Sequence, residues 1–356
     1  MELLFSNYPP MKTSKDTFSD AFYDYVSRSS EIDIAVGYVT SDSLAELKKL
    51  AEYNSNKKIN LTIGMHYYDL FTRSEYNSAC ELNKYLVDNN QGTVNLVTPF
   101  RFHGKLYSYL DNNKPFACMI GSNNLSSIVE GGTRVYEAAA VLDDDKIAKE
   151  VNDFIADLVR TSTDNISDVN ITTFKEGQSA LEGQEYVKKI TDEERIECMS
   201  SRTDISFDIP LKPFEDSAKS NLNVFFGKGR EGKNGLVKPR HWYEIEVIVS
   251  KSITSLPGYP KSKEEDGAFD VITDDGWKFK CYVGGDYNKN FRSENDLKIL
   301  GRWIKGRLEA AGVLDTGKPV TRQTLTDYGR DNFTLTKTSI DNTWFLDFGV
   351  RNNEVS

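Results

Sequence analysis

The chain contains three histidines, His66, His103 and His241. His103 sits in RFHGKLYSYL, and in a strand, residues two apart share a face. His103 and Lys105 therefore point one way, while Phe102, Gly104 and Leu106 point the other. Beyond Asp111 a hairpin-like DNNKP leads into the apolar FACMI and then Gly121-Ser122-Asn123-Asn124. Ser122 and Asn124 are again two apart, so cross-strand pairing can gather His103, Lys105, Ser122 and Asn124 into one polar cluster. That cluster suits phosphodiester chemistry. A neutral imidazole is a competent nucleophile or base near pH 7. Lysine and asparagine donors can hold non-bridging phosphate oxygens and stabilise transition-state charge, and glycine lets backbone approach a phosphate closely. A histidine and lysine two apart on a surface strand are common by themselves. Their combination with a turn, an apolar strand and G-S-x-N is far more specific.

The elements that would position this cluster alternate in type. Residues 31–40 (EIDIAVGYVT) are β-rich, and 42–53 carry leucines at helical spacing behind Ser41 and Asp42 as N-caps. A strand at 59–66, a helix at 74–88 and a strand at 93–99 follow. Strands at 102–110, 116–121 and 136–142 come next, and a helix at 145–160 closes the unit. Such alternation predicts an α/β domain with a parallel or mixed sheet. The stretch 161–185 is polar and aperiodic, as a linker is. The second half has short β-like runs at 204–211, 221–227, 242–250, 268–273, 276–284, 333–337 and 342–349, interrupted by one helix at 294–311 ended by Gly312. It reads as a β-barrel or sandwich. The basic face of that helix (Lys298, Arg302, Lys305, Arg307) reads as solvated, opposite an apolar core face. His66 ends a strand and is expected to be a structural histidine.

At 356 residues the chain has room for about two domains. Its 44 basic and 54 acidic residues give a net charge of -10, which excludes a chromatin-like basic protein. A local basic patch can still bind nucleic acid. Mean hydropathy is -0.51, and no apolar run approaches a membrane span. The N-terminus does not read as a secretion signal. The four cysteines form no C-x-x-C pair, so a reduced, cytoplasmic chain without a zinc ribbon is expected.

His103-Gly104-Lys105 followed by Gly121-Ser122-Asn123-Asn124 resembles the HKD motif of the phospholipase D superfamily. In the usual form four residues separate the lysine from the aspartate. Here five precede Asp111, which also suits a turn. The resemblance implies a phosphohistidine intermediate, no metal and no cofactor, and two HKD motifs meeting at one site. No second H-x-K exists in the chain, so a homodimer through the nuclease domain is implied. Glu137 resembles the acidic residue that orients the catalytic histidine in single-motif members; the alternative is an edge-strand carboxylate with no role.

An HKD domain followed by a β-rich domain looks like the NgoFVII-type restriction endonucleases and, more distantly, BfiI, whose pseudobarrel DNA-binding domain is related to the EcoRII effector domain. The expected architecture is an α/β phospholipase D-like nuclease domain at 1–165, a linker at 166–190, and a mainly-β pseudobarrel that binds DNA at 191–356. Within 221–243, Lys228, Arg230, Lys233, Lys238 and Arg240 face a single acid, Glu231. With Asn234 these could contact a phosphate backbone or base edges. Tyr287, Lys289, Asn290 and Arg292 form a second candidate loop. The alternative for each stretch is a solvated polar loop. The implied function is site-specific, metal-independent hydrolysis of double-stranded DNA. The rival readings are a phospholipase D-type lipid phosphodiesterase and a non-catalytic DNA-binding subunit. The resemblance also implies a cognate DNA methyltransferase and, in some relatives, a separate ATP-dependent helicase-like subunit; no P-loop occurs in this chain. No membrane partner is expected.

Overall fold

The computed structural model describes residues 1–7, 11–13, 16–129 and 135–350. They form two compact units. The first takes the described residues up to Gly177 together with Gly229–Pro239; the second takes Gln178–Lys228 and Arg240 onward.

The first unit alternates β1 (Glu2–Phe5), α1 (Phe18–Arg28), β2 (Glu31–Val36), α2 (Ser41–Tyr53), β3 (Lys58–Ile63), α3 (His66–Asp69), α4 (Arg73–Asp88) and β4 (Val94–Val97). The hairpin β5 (Lys105–Asp111) and β6 (Lys114–Gly121) follows, then β7 (Ala138–Leu142), α5 (Asp145–Ser162) and β8 (Thr163–Asn165). One eight-stranded sheet runs in the order β1-β7-β6-β5-β2-β3-β4-β8. The β2–β3 and β3–β4 pairs are parallel, and β5 lies antiparallel to β2. Thr17, Thr40 and Thr72 each cap a helix: the side chain accepts from the N–H of the residue three on, and the threonine N–H donates back to that residue's side chain. This fixes where α1, α2 and α4 begin. α5 is amphipathic, buries Ala148 and packs Val151, Ile155 and Leu158 with Ala35, Val97 and Cys118 of the sheet. Its three larger apolar side chains each contribute roughly 1.5–3 kcal/mol by burial. α1, α2 and α4 contribute to the larger core, which includes Phe22, Leu47, Leu82 and Tyr107. The β5–β6 turn uses Asn112 and Asn113 at positive φ, as a two-residue hairpin requires. Asp111 closes this hairpin opposite Lys114, at the far end of β5 from His103. Past β8 the polar stretch stays on this unit: Ile166 is in its core, with Val169, Ile171 and Phe174 packed against it.

The segment Gly229–Pro239 contains the two-stranded ribbon β11 (Arg230–Glu231) and β12 (Val237–Lys238). Leu236 belongs to the first unit's core.

The second unit holds β9 (Lys188–Lys189), α6 (Asp192–Ser200), β10 (Arg202–Pro210), β13 (Val247–Ile248), α7 (Lys251–Thr254), α8 (Lys263–Asp266), β14 (Phe269–Thr273) and β15 (Trp277–Gly284). β16 (Asn290–Ser293), α9 (Lys298–Ala310), α10 (Arg322–Tyr328), β17 (Asn332–Thr338) and β18 (Thr343–Asp347) complete it. Its sheet runs β10-β17-β18-β14-β15-β16-β13, with β9 on β15. β14 and β18 pair in parallel; the other pairs are antiparallel. Along β15, Trp277, Phe279, Cys281 and Val283 are buried, while the residues between them are less so, as a half-buried strand demands.

Four expectations are corrected here. Residues 221–227 form a 3-10 helix (Asn221–Phe226), not a strand. Asn221 adopts φ 53°, and the buried Asn223 side chain donates to the Val320 carbonyl and accepts from the Val320 N–H. These ties override the β-propensity of Leu222-Asn223-Val224-Phe225. Of 242–250, only Val247–Ile248 pair as strand. Glu246 N–H instead bonds the Asn221 carbonyl. His66 opens α3 rather than ending β3. The cations of α9 are not a solvated face. Lys305 is fully buried, its Nζ donating to the Trp242 carbonyl at 2.6 Å and lying 3.9 Å from the centre of the Trp242 ring. Burial lowers its pKa to about 7. Arg302 is buried over Tyr243, and Arg307 pairs with Asp274 at 2.5 Å.

Candidate active site

The parallel strands β2 and β3 are followed directly by Gly37 and Gly64, and β5 starts beside their ends, with Lys105 opposite Val36. Ligands of open α/β sheets sit at this carboxyl end. The glycines let the 98–104 loop fold over it. A Cβ on Gly64 would strike the Phe102 carbonyl, and one on Gly37 would lie 3.0 Å from His103 Cδ2. Phe102 N–H also donates to the Gly64 carbonyl at 3.0 Å. His103 is thus held at the strand ends with its ring exposed.

Lys105 is buried, and its Nζ donates to the His103 carbonyl at 2.7 Å. Burial lowers the pKa of its ammonium, and the charge of Glu137 pulls it back up. Glu137 precedes β7, which is flanked by β1 and β6 and is not an edge. Its backbone is fixed by Ser6, whose Oγ accepts from Glu137 N–H at 2.9 Å and whose N–H donates to the Glu137 carbonyl at 3.1 Å. Ser122 is exposed but tied to β7. Its Oγ accepts from Ala138 N–H at 3.0 Å and donates to the Ala138 carbonyl at 3.3 Å. Gly121 permits this closeness, since a Cβ there would collide with the Ala138 carbonyl. Asn124 accepts from Tyr38 N–H through Oδ1 at 3.0 Å, which leaves Nδ2 as the end that can donate to a phosphate oxygen. Asn123 points into the core instead, bonding Ser127, and its carbonyl accepts from the buried Tyr107 hydroxyl.

These contacts bring His103, Lys105, Ser122, Asn124 and Glu137 to one end of one sheet. Three neighbours were not singled out by sequence reasoning. The Tyr38 ring stands edge-on to His103, centroids 5.7 Å apart. Its hydroxyl donates to Asp69 Oδ2 at 2.6 Å, and Arg101 Nε donates to Asp69 Oδ1 at 3.3 Å. The one available signal was the alternation Arg101-x-His103-x-Lys105.

The other two histidines are structural. His66 is buried, stacked on Phe71 with centroids 4.3 Å apart. Its Nε2 accepts from Val39 N–H at 3.1 Å, and its Nδ1 lies 3.1 Å from the Leu70 carbonyl, which makes Nδ1 the protonated nitrogen of a neutral ring. Burial holds its pKa below the ordinary value. His241 is in the second unit, half-buried, with its Nδ1 accepting from Tyr243 N–H and desolvation pushing its pKa well down.

The candidate DNA contacts lie in two places. Lys228 is exposed at the end of its stretch of the second unit, and Arg230 and Lys238 pair across the β11–β12 ribbon. Lys233 meets Asp24 at 3.0 Å, Asn234 donates to Ser27 Oγ at 3.1 Å, and Lys238 Nζ lies 4.3 Å from the Tyr23 ring centre. Arg240 makes a double bond-pair to Glu244, at 2.9 and 2.6 Å. The Gly229–Pro239 part of this stretch therefore lies on the first unit. The second candidate loop remains in the second unit. Tyr287 is 66% exposed, at φ 60°, with Lys251 Nζ 4.2 Å from its ring centre. Lys289 faces Asp286 at 3.4 Å, Asn290 opens β16, and Arg292 lies 3.8 Å from Glu246. Among the described residues no helix is long and apolar enough to cross a membrane.

Residues 16–171 match the model of the NgoFVII restriction endonuclease N-terminal PLD domain. Residues 197–339 match that of the NgoFVII C-terminal B3-like DNA-binding domain. No curated protein matches the chain in sequence. Among solved structures, NucT from Helicobacter pylori is similar over 45% of this chain and 98% of its own, at 16% identity and a TM-score of 0.29. Phosphatidylserine synthase from Haemophilus influenzae Rd KW20 is similar over 48% of this chain and 41% of its own, at 13% identity and 0.34. Polyphosphate kinase from Porphyromonas gingivalis is similar over 49% of this chain, at 12% identity and 0.33, and the chain spans only 25% of that enzyme. With each half matched to a model of the same enzyme, the chain belongs to the NgoFVII restriction endonuclease family, its PLD domain followed by its B3-like DNA-binding domain.

Proposed function

We propose that this chain is a site-specific restriction endonuclease that hydrolyses double-stranded DNA through a phosphohistidine on His103, without a metal, in an active site shared by two copies. The observation that carries the reading is the H-x-K cluster at the carboxyl end of the sheet in a chain whose halves match a nuclease and a DNA-binding domain. In the first step a ring nitrogen of His103 attacks phosphorus, forming a P–N bond as the bond to the leaving oxygen breaks. A second imidazole gives that oxygen its proton. In the second step water attacks phosphorus, its proton passes to the second imidazole, and the P–N electron pair returns to His103. Lys105 and the Asn124 amide supply the positive charge and donors for the non-bridging oxygens, the role a metal would otherwise fill. Glu137 offsets the charge of the imidazolium and of Lys105.

The second imidazole must come from another copy. In support, His66 is buried and held by backbone on both ring nitrogens, and the half-buried His241 has its Nδ1 engaged by Tyr243 N–H. Base reading falls to the B3-like domain, with Tyr287, Lys289, Asn290 and Arg292 as proposed contacts. Lys228, Arg230, Lys233, Asn234, Lys238 and Arg240 are proposed as further contacts to the DNA backbone. A cognate methyltransferase would protect the host, and any ATP-dependent subunit would be a separate chain.

The test is digestion of phage DNA in EDTA, followed by sequencing of the ends. Specific fragments from the natural protein and none from His103→Ala are expected. Full cleavage by His103→Ala sinks the mechanism. Mixing His103→Ala with natural chains should lower activity more than in proportion to dilution; strict proportionality rejects the shared site.

A further inference from the structure

Tyr38 follows Gly37 immediately after β2, and three hydrogen bonds fix the backbone of the short run it belongs to. Its own N–H donates to Asn124 Oδ1 at 3.0 Å, and Val39 N–H donates to His66 Nε2 at 3.1 Å. Met65 N–H donates to the Gly37 carbonyl at 3.0 Å. The side chain spans the rest. Its ring stands edge-on to both His66 and His103, at centroid distances of 5.4 and 5.7 Å, and its hydroxyl ends on Asp69 at 2.6 Å. One residue thus meets His103 with its ring and holds the Asn124 amide with its backbone. A tyrosine serving only as packing needs neither contact.

Asp69 receives a second partner. Arg101 Nε donates to its other oxygen at 3.3 Å, and the guanidinium carbon lies 4.9 Å from the Tyr68 ring centre. The Arg101 side chain is still 58% exposed. Arg101, Asp69, Tyr38 and His103 therefore form a chain of contacts, and its two ends lie two residues apart in sequence. The electrostatics agree with the geometry. The tyrosine hydroxyl holds the Asp69 carboxyl below its ordinary range, and the carboxylate holds the phenol above its own. The pair is a charge-assisted hydrogen bond, the strong kind. Arg101, two residues before His103 in the same loop and mostly exposed, has a planar fork suited to a phosphodiester oxygen.

We propose that Tyr38 is a positioning residue that fixes the His103 ring and the Asn124 amide, and that Asp69 carries the same arrangement to Arg101, which binds a DNA backbone phosphate next to the scissile one. This rests on His103 acting on phosphorus. A misplaced nucleophile of the order of 1 Å costs about 100-fold in rate, whereas loss of one phosphate contact weakens binding and lowers its salt dependence by about one phosphate.

The two parts should separate kinetically. Tyr38→Phe keeps the ring and loses the anchor; about a 10-fold fall in kcat with KM unchanged is expected, the size of one charge-assisted bond. Tyr38→Leu loses both, and about a 100-fold fall is expected. Arg101→Ala should raise KM about 10-fold and reduce the salt slope of DNA binding by about one, with kcat held within about 3-fold. Arg101→Lys should restore part of the affinity. Asp69→Asn retains an acceptor for the tyrosine hydroxyl but loses the charge opposite Arg101, so it should follow Arg101→Ala in KM. Natural kcat in both Tyr38→Phe and Tyr38→Leu overturns the positioning role. An unchanged KM and salt slope in Arg101→Ala overturns the phosphate contact. If Tyr38→Leu fails to fold, natural kcat in Tyr38→Phe alone overturns the positioning role. Full cleavage by His103→Ala in the same assay would mean that the nuclease reading had failed instead.

Discussion

Asn54 and Val237, 183 residues apart in sequence, exchange two hydrogen bonds. Asn54 Nδ2 donates to the Val237 carbonyl at 3.0 Å, and Val237 N–H donates to Asn54 Oδ1 at 3.0 Å. The Asn54 amide also bonds the Leu50 carbonyl at 2.8 Å and so closes the end of α2. A side chain here serves as the partner an edge strand would otherwise need.

Beside that pair, Leu236 is 3% exposed in the first unit's core. Leu236→Ala is expected to destabilise this unit by about 2–5 kcal/mol, and Asn54→Ala by about 1–3 kcal/mol through its unpaired backbone groups. Urea unfolding followed on the natural and substituted full-length chains measures both. By contrast Lys233→Ala, at a mostly exposed pair with Asp24, should change stability by less than about 1 kcal/mol.

Gly37→Ala tests the packing over the strand ends. The new methyl group would lie 3.0 Å from His103 Cδ2 and 3.3 Å from Met65 Cγ. Both are side-chain atoms that can yield. The fold should survive, with melting nearly unchanged, while cleavage falls about 10-fold or more as the imidazole shifts. Gly64→Ala meets backbone instead, at the Phe102 carbonyl. It is expected to cost about 1–3 kcal/mol of stability as well.

His66 makes the first unit acid-sensitive. Its folded pKa is depressed, chiefly by burial, with Glu75 opposing and Lys175 adding to the shift. Below the unfolded value of about 6.5 the unfolded chain binds the proton and the folded ring resists it, so stability is lost as pH falls. Thermal melting at pH 7.5 and 5.5 should show a larger drop for the natural protein than for His66→Gln. Equal drops would remove His66 as the cause.

Lys305 should act in the opposite pH range. Its folded pKa is about 7, against about 10.4 for a free lysine. Between those values the unfolded chain holds a proton that the folded one has released, so this residue's contribution to stability grows with pH up to the unfolded pKa. The second unit of Lys305→Met should lack that rise. The quantity to compare is the difference in unfolding free energy between the two proteins at pH 7 and pH 10, since other groups cancel in it.

The sheet of the first unit was legible because its strands and helices carry local signals. The apolar 31–36 run and the leucines of α2 act within a few residues, although α2 is capped by Thr40 and not by the expected Ser41 or Asp42, both of which lie inside the helix. His103, Lys105 and Asn124 could be brought near one another on paper because a hairpin joins their strands. Tyr38 and Asp69 could not, since their link to His103 depends on where β2 and β3 end relative to a loop 35 to 65 residues on. The 221–227 run misled because two asparagines, one pinned at Val320, outweigh strand propensity. Lys305 misled because charge marks a surface only until an aromatic ring and a carbonyl are supplied for it. The cationic stretch after Lys228 showed its charge but not that Leu236 and Asn54 would hold part of it against α1 and α2.

That hold has a consequence for the order in which the protein is made. Chains emerge from the ribosome N-terminus first, at about 5–20 residues per second. The sheet with its H-x-K cluster is therefore synthesised well before Leu236 arrives to fill its core. A nascent or truncated chain ending before Gly229 carries the H-x-K cluster on an incompletely packed unit, and a nascent chain completes that unit only after synthesis of the B3-like domain has begun.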